Sequence, residues 1–164
     1  MNTLEVLKEE HEMLEREIIE LETIMEEEII NYSNLIHVLK KIARIWNSHA
    51  EKDEKIFLIL EGKGVRTPLH SLWDAKEQFV KYHSQIFKAL ESGSDYQTRE
   101  AMTSEGRGFI SCLRNHITEQ EWIFYALPAK SIPSIIEVES RLPVVNNYPS
   151  SARSETRSRN PDLE

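Results

Sequence analysis

The chain has 164 residues, enough for one domain with a sizeable core. Its formal net charge of −8 argues against nonspecific nucleic-acid binding, and its single cysteine, Cys112, excludes an internal disulfide. No charged segment followed by an apolar run opens the sequence, and no apolar stretch reaches membrane-spanning length, so a soluble cytoplasmic protein with neither a nucleic-acid nor a membrane partner is expected.

Helix-forming residues dominate the first 127 positions, which hold one proline, Pro68, and all five glycines; the other five prolines follow from Pro128 on. The first helix is predicted from Thr3, as N-cap, to about Ile29, with a Glu-rich solvated face. A break at Asn31-Tyr32 precedes a second helix capped by Ser33, which reaches Glu61 and is stopped by Gly62 and Gly64. Thr67-Pro68 starts a third helix running to about Glu91. Ser92-Gly93-Ser94 breaks the chain again, and a fourth helix runs from Asp95 to Pro128. Short connections make neighbours antiparallel, so the predicted fold is all-α: an up-down-up-down four-helix bundle over residues 1–128. Residues 129–164 form an extension in which 132–138 is apolar enough to pack back on the bundle. From Asn146 onward no apolar period remains and disorder is expected, with a protein partner for the tail as an open possibility.

Three histidines stand where a heptad seam would otherwise carry leucine. The first helix reads Leu4, Leu7, His11, Leu14, Ile18, Leu21, Met25, and the second Leu35, Leu39, Ile42, Trp46, His49, Asp53, Ile56, Leu60. The fourth reads Met102, Phe109, Leu113, His116, Ile123, Leu127, with Glu121 beyond the histidine. At 1.5 Å per residue, the three imidazoles lie roughly 12–18 Å from the same end of an antiparallel bundle, which places them in one layer. Buried imidazoles and carboxylates that converge are most economically explained by a metal ion. The third helix reads Leu69, Leu72, Lys76, Phe79, His83, Ile86, Leu90. Lys76 matches the layer but has no lone pair for a metal, whereas His83 lies roughly 10 Å deeper and reads as a hydrogen-bonded core histidine. Trp46, Trp73 and Trp122 read as packing residues, with Trp73 also able to wall a pocket near Lys76. Gly106 and Gly108, inside the fourth helix, permit close helix approach or a small-molecule path.

These pieces resemble the haemerythrin-like, HHE cation-binding family: LKEEHEML around His11, HAEKDEKIF around His49, the GVRTPL connector and HITEQEWIFYALP around His116. The resemblance implies a four-helix bundle holding a non-haem di-iron centre, whose members bind dioxygen, sense oxygen or iron, respond to nitric oxide, or store metal. By position it implies metal ligation by His11, His49, Asp53 and His116. For the fourth-helix carboxylate, Gln120 stands four residues past His116 and Glu121 five; Glu121 is preferred because Gln120 offers only a neutral carbonyl oxygen.

The chain departs from the family at Lys76, which aligns with the third-helix histidine, and at Asp53, one methylene shorter than the usual glutamate. Three outcomes follow: one metal near His11, His49, Asp53 and Glu121; two bound weakly; or Lys76 paired with Asp53 and Glu121 in place of metal. The preferred function is an iron-binding protein that binds or senses dioxygen or another diatomic ligand, or handles iron. The alternative is a metal-free helical interaction module, and weak oxidase or peroxidase activity at the same centre is a third reading. Lys76, Trp73, Gln120 and His83 are the residues expected to modify the site.

Overall fold

The computed structural model describes residues 2–141. Within them every regular element is helical: α1 (Thr3–Glu26), α2 (Tyr32–Gly62), α3 (Leu69–Glu91), α4 (Asp95–Ala101), a π-helical turn (Met102–Gly106), α5 (Arg107–Ala126), a 3-10 turn (Ala129–Ser131) and α6 (Ile135–Glu139). The predicted disordered segment from Asn146 on lies outside the described residues.

Local chemistry moves several helix ends from where the sequence placed them. Asn2, not Thr3, caps α1, in a reciprocal capping box with Glu5. Thr3 is instead buried and donates its hydroxyl to the Pro133 carbonyl at 2.6 Å. The α1 helix stops at Glu26 rather than near Ile29, and the carbonyls of Glu27 and Glu28 are taken by the Arg99 guanidinium. Asn31, not Ser33, caps α2 by accepting from the Asn34 N–H. Past α2, Gly64 adopts φ +81°, and Gly93 after α3 adopts φ +68°, a region that suits glycine. Thr67 does not cap α3; its hydroxyl donates to Glu61, and Pro68 takes the N-cap place without a side-chain bond.

The expected fourth helix is interrupted. The Thr103 and Ser104 hydroxyls bond back to the carbonyls of Arg99 and Glu100, which competes with the regular ladder where the π turn forms. Just beyond, Gly108 lets α3 come close: a Cβ there would sit 2.7 Å from the Tyr82 ring. The fourth rod ends at Ala126 because Leu127, preceding Pro128, is extended.

The α1 helix packs on α2, α3 on α5, α2 on α3 and α1 on α5, so the rods enclose one core. Leu14, Ile18, Leu39, Ile42, Trp46, Phe79, Ile86, Phe109 and Leu113 fill it, each buried. Removing such a side chain from water stabilises by about 1.5–3 kcal/mol. After the bundle, α6 packs on α2 and buries Val138. Trp122 departs from its expected packing role and is 71% exposed, because it lies on the outer face of α5. His37, His70 and the Glu26-Glu27-Glu28 run are exposed. Cys112 is buried, and burial pushes its thiol up to about 11, away from reactive thiolate.

Candidate metal centre

The rods α1, α2 and α5 bring side chains to one level. Leu7, His11 and Leu14 follow the buried stripe of α1, and His49 and Asp53 share a face of α2 by their four-residue spacing. On α5 the same spacing aligns His116, Gln120 and Phe124 on the buried face. His49 and Asp53 are fully buried; His11, His116 and Gln120 are nearly so.

The ring nitrogens point at one another. His11 Nε2 lies 3.2 Å from His49 Nε2 and 2.5 Å from Gln120 Oε1, which is also 3.0 Å from His49 Nε2. Asp53 Oδ2 lies 3.1 Å from His49 Nε2 and 2.9 Å from His116 Nε2. The Gln120 amide N–H donates to Asp53 Oδ1, which fixes its carbonyl oxygen toward the two imidazoles. Nitrogen lone pairs, a carbonyl oxygen and a carboxylate oxygen thus face a common point. Only protons on the imidazoles, or a cation, can reconcile that many acceptors.

Carboxylates behind two of the rings decide which nitrogen faces inward. His49 Nδ1 donates to Glu10 Oε2 at 2.8 Å, and Glu10 is held in turn by Lys52. His11 Nδ1 lies 3.4 Å from Glu121 Oε1. A carboxylate on the outer ring nitrogen leaves the inner one as the ligating atom and raises its basicity. Glu10 was missed in the sequence, where it reads as one more acid in a Glu-rich helix; its position next to His11 was the only signal.

Charge in the centre is strongly redistributed. Burial disfavours a charged His49, but Asp53 and Glu10 outweigh it and raise the ring to about 10. Burial would likewise raise Asp53, yet His49 and His116 hold it well below the usual carboxylate range. Burial, reinforced by His49, lowers His11. Burial would also raise Glu10, and its bonds to His49 and Lys52 overcome that.

The structure therefore brings together His11, His49, Asp53 and His116, the expected histidines and acid. It orders the remaining pair differently from the sequence preference: Gln120 is 1% exposed at the centre, while Glu121, 61% exposed in its side chain, stands behind His11 on the rim. The reason is helical phase. Four residues from His116 return to nearly the same face, whereas five rotate by about 140°. Lys76 forms an ion pair with Glu54 at 2.6 Å, where one of the three outcomes read from the sequence paired it with Asp53 and Glu121. Glu54 is buried and accepts from Trp73 Nε1 at 2.8 Å as well. His83 is stacked on Phe79 and tilted against Phe87, away from the centre; its ring meets the Leu39 backbone in a hydrogen bond, while its buried Nε2 has no partner.

Aromatic rings close the floor. Trp46 stacks on Phe79 at 5.3 Å and meets His116 edge-on at 4.9 Å, and Phe79 packs on Phe109. A cavity of about 10 Å³ touches His116 and Gln120, lined also by Phe57, Leu72 and Ile123. A larger one, about 570 Å³, lies at the other end of the bundle beside Met25, Leu35 and Met102, where none of the expected site residues stands.

The sequence model of the Hemerythrin HHE cation binding domain matches residues 2–127. The chain belongs to this haemerythrin HHE family. No curated protein and no solved structure matches it. For this haemerythrin-like chain, the buried set His49, Asp53 and His116 can hold a metal cation, each offering a ligand atom within 4.8 Å of the others. The donors also suit the family's cation chemically. Imidazole and carboxylate suit iron, and ligand atoms about 2.1 Å from one ion stand roughly 3 Å apart, the spacing found here. Among the described residues, no helix of this haemerythrin-like protein is long and apolar enough to cross a membrane.

Proposed function

We propose that this protein binds iron between its helices and that the centre takes dioxygen or another diatomic molecule as its ligand. The observation that carries the reading is the convergence of His11 Nε2, His49 Nε2, His116 Nε2, Asp53 Oδ2 and Gln120 Oε1 on one buried point. Iron bound there would supply a Lewis-acidic, redox-active centre able to coordinate a small molecule.

The chain's own residues would hold and orient that ion. Glu10 and Glu121 fix the His49 and His11 rings by their outer nitrogens, so Nε2 faces inward in both. Asp53 supplies the negative charge, and Trp46, Phe79 and Phe109 exclude bulk water from below. The cavity beside His116 and Gln120 is on the order of one water in size, which favours a diatomic ligand over a larger substrate. In this reading the long rods alternate up and down, which the short breaks after α1, α2 and α3 support.

The test is metal analysis of protein expressed in iron-rich medium, with optical spectra recorded before and after exposure to oxygen or nitric oxide. Wild type should carry iron and change its near-ultraviolet absorption reversibly, and His49→Ala should carry none. Wild type free of metal under every loading regime would favour a helical interaction module instead.

A further inference from the structure

We propose that the centre is built for one metal ion, and that the Lys76–Glu54 pair occupies the flank a second ion would need. The inference rests on the iron-binding reading above and concerns stoichiometry, which that reading leaves open.

The donors have the geometry of a single coordination shell. His11 Nε2, His49 Nε2 and Gln120 Oε1 lie 2.5–3.2 Å from one another, and Asp53 Oδ2 lies 3.1 Å from His49 Nε2 and 2.9 Å from His116 Nε2. Atoms about 2.1 Å from one six-coordinate ion are roughly 3 Å apart. Two ions stand about 3.5–4 Å apart and need a bridging acid plus separate donors for each. Asp53 is the acid placed to bridge, but its Oδ1 is held by the Gln120 amide and its Oδ2 already faces two imidazoles.

On the α3 side, each oxygen of the next carboxylate, Glu54, is already engaged by a donor. Glu54 receives the Lys76 ammonium at 2.6 Å on one oxygen and the Trp73 indole N–H at 2.8 Å on the other. Lys76 brings a positive charge, which repels a second cation, and no lone pair with which to ligate one. One turn further along α3 stands Phe79, stacked on Trp46, so the remaining wall is aromatic. Gln120 completes the pattern: where a carboxylate would neutralise a second dication, the α5 side chain at the centre is neutral.

The experiment loads the full chain with ferrous iron, removes unbound metal, and measures iron per chain together with the electron paramagnetic resonance of the oxidised protein. One iron per chain with an isolated high-spin ferric signal is expected. Two irons with a spin-coupled pair would overturn this inference and leave iron binding standing; no iron would overturn the function proposed above. A second arm uses Lys76→His combined with Gln120→Glu, which should raise the ratio toward two. A folded double variant that stays at one iron would overturn the role given to Lys76. If that variant does not fold, the wild-type ratio alone decides.

Discussion

His49 Nδ1 donates to Glu10 Oε2 across 2.8 Å, and this bond turns the opposite nitrogen of the ring toward Asp53 and His11. A residue outside the converging set thus determines what the set can bind. Replacing Glu10 by alanine should weaken metal affinity about 10–100-fold while preserving helicity, because the ring loses its orienting acceptor. Competition against a chelator of known affinity measures this, and an unchanged affinity would show that packing alone orients His49.

The metal-free protein has a defined pH response. His49, opposed by burial but outweighed by Asp53 and Glu10, is raised to about 10, above its unfolded value of about 6.5. Its contribution to stability is therefore complete below about pH 6.5 and is lost as pH rises toward 10. Metal binding must remove that proton, so affinity should rise about tenfold per pH unit through the same window. Calorimetry in buffers of different ionisation heat should show release of about one proton per ion. A pH-independent affinity would mean that His49 is not a ligand.

Gln120→Glu places a second carboxylate against Asp53. Without metal, like charges in a buried site should lower the melting temperature. With metal, the added charge should make the thermal gain on loading larger than in wild type. Melting curves with and without ferrous iron separate the two effects, and equal gains would argue that Gln120 does not touch the ion.

Lys76→Ala leaves Glu54, whose side chain is 4% exposed, without its ammonium partner. The expected loss is on the order of 3 kcal/mol in denaturant unfolding. Lys76→Met combined with Glu54→Gln should recover most of it, since the uncompensated charge is gone and Trp73 keeps an acceptor. A single variant as stable as wild type would show that water replaces the pair.

Val138→Ala should cost about 2 kcal/mol, because that side chain is buried where α6 packs on α2. A neutral effect would mean that α6 does not contribute to the stability of the bundle.

Much of this was legible from periodicity alone. A helix sends every third or fourth side chain to one face, so the seams through His11, His49 and His116 identified the buried stripes and the layer where they meet. Helix ends were less legible, because Asn2 and Arg99 compete for backbone groups through contacts that composition does not reveal.

The sequence by itself determined which residues are inward and at what height, since both follow from chain geometry along one rod. Only the tertiary structure decided what each inward residue faces. Gln120 rather than Glu121 reaches the centre, Lys76 finds Glu54, and Glu10 stands behind His49, because each pairing depends on the rotation and spacing of two rods packed together. A one-dimensional pattern fixes the phase of each helix, whereas partners are set by the angle between helices, which the chain settles only when the core closes.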